Sequence, residues 1–318
     1  MAKQKSTAVQ PSANTLKKKG PMYYLKRDWQ LYALMLLPML FIIVFKYLAY
    51  TGLSVAFLDY KIGKGYAGSK FVGLEIFKKV FKHRDFTKAV VNTLLLNVLD
   101  LLFSFPMPII LALLLNELRS RHYKNTLQVI YTFPNFLSWV IVGGLMTTIF
   151  AGEGVINSLI RASGGQTYGF LTDKSLIRPL LYATSIWKGT GWSAILYLAG
   201  IAGISPELYE AAEVDGANRF HKMWYITWPE IRSTAVILLI LAFGGIMSKG
   251  YDQILNMTNA VVRDAAETID TYIYRITFQE KPKYGFSTAI GLSKSVINFA
   301  FLLLANKLAK ALGEGGIM

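Results

Sequence analysis

Cysteine is absent from the 318 residues. That excludes a disulfide framework, a thiolate nucleophile and any cysteine-ligated metal. Histidine occurs only at positions 83, 122 and 221, with no spacing of the H-E-x-x-H kind, so no metal site is expected. Charge is scarce as well: 17% of residues are Asp, Glu, Lys or Arg, against about 25% in soluble domains. No phosphate-cradling G-x-x-x-x-G-K-[ST] loop is present. The fragment Gly63-Lys64-Gly65 lacks the Ser/Thr after its lysine and a strand-to-helix setting. Apolar residues, by contrast, make up 53% of the chain and mean hydropathy is +0.37. A water-facing surface of this size does not accommodate that surplus, which argues against a soluble enzyme and against a disordered chain. The formal charge of +15 suits nucleic acid, anionic lipid or an acidic substrate. The apolar surplus selects membrane lipid, and no nucleic-acid partner is expected.

A bilayer core of about 30 Å needs roughly 20 mostly apolar helical residues to cross it. Six stretches qualify: Gln30–Tyr50, Ala89–Leu115, Val129–Ile149, Leu180–Ile201, Thr234–Leu255 and Phe286–Leu308. Lipid offers backbone groups no hydrogen bonds, so each is expected to be a helix. No alternating ten-residue pattern points to a barrel. The fold class read here is all-α, a polytopic membrane protein with six transmembrane helices. The first span follows a basic tail of 28 residues and has no small-x-small cleavage site, so it is expected to stay in place. Lysines and arginines outside the spans divide evenly between the two sides. The seven ahead of the first span then decide the orientation, with both termini cytoplasmic. The organisation expected is a basic cytoplasmic tail over 1–28, a first helix and outer loop over 29–84, and a core over 85–312.

The loop after the fourth span is the most informative segment. It runs from Ser205-Pro206-Glu207 through Glu210-Ala211-Ala212-Glu213-Val214-Asp215-Gly216-Ala217 to Ile226-Thr227-Trp228-Pro229. Ser205 suits an N-cap, Pro206 the first helical position, and Glu207 and Glu210 the positive end of a helix. Gly216 suits its C-terminal stop. A second short helix is expected to run to about Ile226, with Pro229 breaking the chain before the fifth span. Orientation puts this helix-turn-helix on the inner membrane face. Ala211 and Ala212 leave room for another protein to come close, and Phe220, Trp224, Tyr225 and Trp228 suit the membrane interface.

E-A-A-x-x-D-G-A followed about ten residues later by I-x-x-P resembles the signature loop of permease subunits in ATP-driven, binding-protein-dependent (ABC) importers. Trp228 stands where that family usually has Leu, and the second proline often seen after Pro229 is missing. The resemblance covers roughly Asp85 to Leu312. FVGLEIF (Phe71–Phe77) and GGIMSKGYDQIL (Gly244–Leu255) look like the carbohydrate-uptake branch, nearest to subunits for complex oligosaccharides or polysaccharides, including acidic ones such as alginate or pectin fragments. The resemblance implies the type I importer permease fold with a cytoplasmic coupling helix. It implies a second permease subunit, two ATPase subunits that bind ATP and Mg, and an extracellular or periplasmic solute-binding protein. It also implies a multi-pass location in the bacterial plasma membrane. No cofactor and no catalysis are expected in this chain itself. Glu210, Ala211, Ala212, Asp215 and Gly216 are the implied contacts to the ATPase.

Ionisable groups at bilayer depth face a cavity or a partner. Asp100, Lys188 and Lys294 fall near the middle of spans two, four and six. Two readings stand side by side: an internal pair of Asp100 with Lys188 or Lys294, or a polar path for substrate. Lys46 and Lys249, nearer the outer ends, suit snorkelling. Sugars are bound by hydrogen bonds and by stacking on aromatic rings. That makes Tyr131, Asn135, Trp139, Trp187, Lys188, Trp192, Tyr251, Asp252, Gln253, Lys294 and Asn298 the candidate wall of a substrate pathway. Pro106 and Pro108 are expected to kink the second span. The competing classes are an ion-coupled secondary transporter using Asp100, and a membrane scaffold. Neither gives the Glu210–Pro229 loop a task.

Overall fold

The computed structural model describes residues 20–311, so the expected tail over 1–28 lies mostly outside the described residues. Two units divide after Ser54. The first holds α1 (Pro21–Arg27) and α2 (Trp29–Ile42), followed by a π-turn over Ile43–Tyr47. Every residue of α2 is exposed, and almost every one is apolar. A helix apolar all round belongs in lipid.

The second unit begins with a two-residue antiparallel pair, β1 (Leu58–Asp59) and β2 (Lys70–Phe71), with Leu58 opposite Phe71. Helices follow: α3 (Glu75–Lys82), α4 (Arg84–Ser104), α5 (Pro106–Asn116), α6 (Arg121–Thr132), α7 (Trp139–Phe150), α8 (Val155–Ala162) and α9 (Ile177–Ala202). Next come α10 (Pro206–Val214), α11 (Arg219–Lys222), α12 (Trp228–Gly244), α13 (Tyr251–Met257), α14 (Arg263–Ala266), α15 (Ile269–Tyr274) and α16 (Tyr284–Ala311). The expected all-helical architecture is what the chain adopts.

Among the described residues, five helical stretches are long and apolar enough to cross a membrane: Trp29–Phe57, Arg84–Asn116, Trp139–Ala162, Arg219–Gly244 and Tyr284–Ala311. The fourth expected span is α9, 26 residues long but more polar, carrying Thr184, Lys188, Thr190 and three glycines. The expected third span starts ten residues too early. Pro134 lacks the N–H that would carry α6 onward, so Phe133–Phe136 tightens into a 3₁₀ turn and α7 starts afresh. Ser138 caps it, its Oγ accepting the Ile141 N–H at 3.3 Å.

The expected fifth span is also broken. The helix stops at Gly244 and the chain turns through Gly245–Gly250, where Gly250 holds φ +88°, a region that L side chains avoid. α13 then restarts at Tyr251. Pro229, expected to break the chain, does not. It sits in the first turn of α12, and a π-turn over Met223–Thr227 absorbs its missing donor, so Arg219–Gly244 runs on as one helix. The proline pair does interrupt the second span as expected, at Phe105 between α4 and α5.

The core falls into patches between crossing helices. One gathers Phe86 and Ala89 of α4, Ile246 and Met247, Tyr272 and Ile290. A second joins Leu96, Val142, Ile177, Leu181 and Ile254. A third joins Ile109 and Ala112 of α5 to Ala194, Tyr197 and Ile201 of α9 and Ile231 of α12. α9 is thus common to the second and third. Its approach to α6 is so close that a Cβ on Gly191 would lie 2.0 Å from the Tyr131 carbonyl oxygen, whereas one on Gly189 would meet nothing. Gly191→Ala is therefore expected to cost about 1–3 kcal/mol, and Gly189→Ala to be neutral or stabilising by up to about 1 kcal/mol. Thermal unfolding of the two variants in detergent checks this, and equal melting temperatures would contradict the close approach.

Candidate functional site

The loop between α9 and α12 is built from its caps. Ser205 occupies the N-cap of α10, though its side chain makes no capping bond. At the far end the Ala217 N–H donates to the Ala212 carbonyl at 2.8 Å and the Gly216 N–H to Glu213 at 3.1 Å. These two bonds, with Gly216 at φ +77°, make a Schellman stop. No atom lies within 4 Å of where a Gly216 Cβ would be, so backbone conformation alone demands glycine here. Asn218 then caps α11 by accepting the His221 N–H at 2.9 Å.

Two side-chain contacts close the hairpin. Tyr209 and Thr227 share a hydroxyl–hydroxyl bond of 2.9 Å, and Lys222 Nζ donates to Glu213 Oε1 at 2.5 Å. The latter bond and the lysine's charge hold the Glu213 carboxyl below the usual glutamate range. Tyr209, Ile226 and Trp228 also pack on the α5–α9–α12 core patch. Of the residues expected to meet a partner, Glu210, Ala211, Asp215 and Gly216 are exposed and Ala212 is half-buried. The sequence reading passed over Tyr209, Glu213 and Lys222 as fixtures of this loop, although an i, i+9 acid–base pair flanking a glycine stop was there to be read.

Within the membrane region, no pair forms between Asp100 and Lys188 or Lys294. Asp100 Oδ2 accepts instead from Lys249, which the turn at Gly245–Gly250 delivers to it. Lys249 does not snorkel. Lys188 Nζ donates to the Asn135 carbonyl at 2.7 Å and lies 5.5 Å from the centroid of the Trp139 ring, tying α9 to the turn before α7. Lys294 Nζ donates to Asp270 Oδ1 at 2.5 Å. Asn298 Oδ1 accepts the Met247 N–H at 3.0 Å, and its amide donates to Ser248 Oγ at 3.1 Å. Gln253 Nε2 donates to the Leu181 carbonyl at 2.6 Å and to Thr184 Oγ1 at 2.9 Å.

Tyr131, Trp187, Trp192 and Asp252 are exposed, with Trp192 edge-on to Phe136 and Tyr251 edge-on to Tyr274. The eleven candidate wall residues therefore do not make one lining. Asn135, Trp139 and Lys188 come together, and Trp139 and Gln253 also border a cavity of about 160 Å³ beside Asp100 and Lys249. The signal that would have located this cavity is the polar stripe Thr93, Asn97, Asp100, Ser104 along α4. Its spacing of four, three and four puts all four residues on one helix face.

Residues 86–314 match the model of the binding-protein-dependent transport system inner membrane component family. The chain is 44% identical over 297 residues to protein LplB of Bacillus subtilis, covering 93% of each. It is 40% identical to the polygalacturonan/rhamnogalacturonan transport system permease protein YteP of the same organism, covering 95% of this chain and 94% of that one. Among solved structures, a chain of a bacterial alginate ABC transporter in complex with an alginate pentasaccharide-bound periplasmic protein superposes with a TM-score of 0.84 at 36% identity. The match covers 93% of this chain and 99% of that one. The chain belongs to the binding-protein-dependent transport permease family: it is a multi-pass membrane protein with the type I ABC importer fold.

The hydroxyl bond between Tyr209 and Thr227 is one of the contacts that tie α10 to the start of the fifth span. Tyr209→Phe is expected to speed amide hydrogen exchange across 206–216 severalfold while leaving α9 protected. Unchanged exchange in the loop would contradict that role.

Proposed function

We propose that this chain is the permease subunit of an ATP-driven importer that carries oligosaccharides or polysaccharides, acidic ones among them, across the bacterial plasma membrane by alternating access. The observation that carries the reading is near full-length similarity to two proteins named for acidic polysaccharides, at 40% and 36% identity. The chain has no nucleotide-binding loop of its own, so ATP and Mg are held, and ATP hydrolysed, by two separate ATPase subunits. A second permease completes the pathway, a solute-binding protein delivers sugar from outside, and both termini lie in the cytoplasm.

Coupling runs through α10, Gly216 and α11. The exposed face with Glu210, Ala211 and Asp215 offers small and acidic groups to the ATPase. The Tyr209–Thr227 and Lys222–Glu213 contacts make the hairpin rigid enough to pass displacement on to the fifth span, with which α11 is continuous. The secondary-transporter alternative would use Asp100 for coupling and leaves the Glu210–Pro229 loop without a task.

Proline fixes φ near −65°, and Gly216 stands at +77°. In the assembled transporter, Gly216→Pro is therefore expected to abolish sugar-stimulated ATP hydrolysis while membrane insertion stays normal, measured in proteoliposomes and by membrane fractionation. Stimulated hydrolysis at the wild-type rate would overturn the coupling assignment.

A further inference from the structure

The cavity at the break in the fifth span has chemistry that neither the packing nor the coupling loop uses. α4 brings Asn97 and Asp100 to it, α7 brings Trp139, α9 brings Tyr182 and Ser185, and the Gly245–Gly250 turn brings Lys249. Two buried polar atoms on its lining residues have no partner: Asp100 Oδ1 and the Tyr182 hydroxyl. Buried donors and acceptors are ordinarily paired, so such orphans mark a place where something else binds. The ion pair is lopsided too. The Asp100 side chain is 9% exposed and that of Lys249 is 47% exposed. Lys249 gives one N–H to Asp100 Oδ2 and points a second at Ser104 Oγ, 3.5 Å away. An ammonium has three, and among the described residues the third has no protein acceptor.

The cavity therefore presents a carboxylate oxygen that accepts, a phenol that donates or accepts, an indole wall and an ammonium with a donor to spare. A simple anion would satisfy Lys249 but bring no donor to Asp100 Oδ1. A neutral sugar would satisfy Asp100 and Tyr182 but offer the third N–H of the ammonium only an uncharged hydroxyl oxygen, a weaker acceptor than a carboxylate. A sugar ring carrying both hydroxyls and a carboxylate answers every group at once. Resting on the carbohydrate reading above, we propose that this cavity is a uronic-acid subsite. In it Asp100 Oδ1 accepts from a ring hydroxyl, Tyr182 bonds a second, and Lys249 holds the ring carboxylate. Lys249, rather than Lys188, is the residue that makes the permease selective for acidic chains, because Lys188 is already committed to the Asn135 carbonyl and the Trp139 ring.

The test uses the complete transporter in proteoliposomes, with trigalacturonate and its fully methyl-esterified form as probes, each variant being compared with wild type on the same probe. Lys249→Met is expected to raise the KM for trigalacturonate at least tenfold and to change that for the ester less than twofold, and Lys249→Arg to restore most of the acidic uptake. Because Lys249→Met strands a buried carboxylate, the double variant with Asp100→Asn removes both charges together. It is expected to keep the fold and the loss of preference for the acidic probe. Tyr182→Phe is expected to weaken both probes alike. Equal effects of Lys249→Met on the two probes, or none on either, in folded protein would overturn the subsite. Wild-type transporter that moves neither probe, nor any other oligosaccharide, would instead overturn the carbohydrate reading beneath it.

Discussion

Lipid supplies no hydrogen bonds, and that single constraint organises most of what the chain does. Every polar side chain in a spanning helix must find its partner inside the protein. Asn92 donates to the carbonyls of Asp264 and Glu267, at 3.0 and 3.2 Å. Asn97 donates to Ile246, Gln253 to Leu181, and Lys188 to Asn135. Leu181 lies within α9; the other acceptors are backbone carbonyls in turns or short helical segments, where the main chain has oxygens to spare. The polar residues are thus the fasteners of the bundle. They pin its irregular segments, above all the turn at Gly245–Gly250, to straight helices. An orphaned polar atom in such a setting stands out because its neighbours are so thoroughly paired.

The same logic separates the two candidate regions. Between α9 and α12, the hairpin of α10 and α11 makes its own contacts through Tyr209, Lys222 and Glu213 and leaves its acidic, small-residue face bare. A face held rigid from behind and bare in front is suited to receive a push. In the membrane, the break in the fifth span puts a lysine on a turn beside a buried aspartate. α12 joins the two regions: it begins at the π-turn above the hairpin and ends at Gly244, where the broken segment starts. The hairpin and the turn that carries Lys249 thus lie at opposite ends of one helix.

Much of this was legible in the sequence. The apolar runs marked the helices, because twenty consecutive apolar residues have few other uses. The loop motif marked the hairpin down to its glycine stop, because Gly216 is required by backbone geometry alone. Less legible were the interruptions. Pro134 and Pro229 look alike in sequence, yet one ends a helix and the other is absorbed by a π-turn. Nothing local distinguishes a proline whose lost donor a neighbouring turn can accommodate. The partner of Asp100 was misread for a related reason. Lys249 was placed on a continuous helix near the membrane surface, and only the turn ending in the left-handed Gly250 brings it back to the buried carboxylate. Pairings 149 residues apart depend on where helices cross, which periodicity does not reveal.

The central claim, that the hairpin between α9 and α12 faces the cytosol and docks on a nucleotide-driven partner, has a direct measurement. The chain has no cysteine, so Asp215→Cys introduces a single thiol. Its labelling by a membrane-impermeant maleimide is compared in right-side-out and inverted vesicles, with and without the ATPase subunits. The account predicts labelling in inverted vesicles alone, and protection when the ATPases are present. Labelling from the outer face would contradict it.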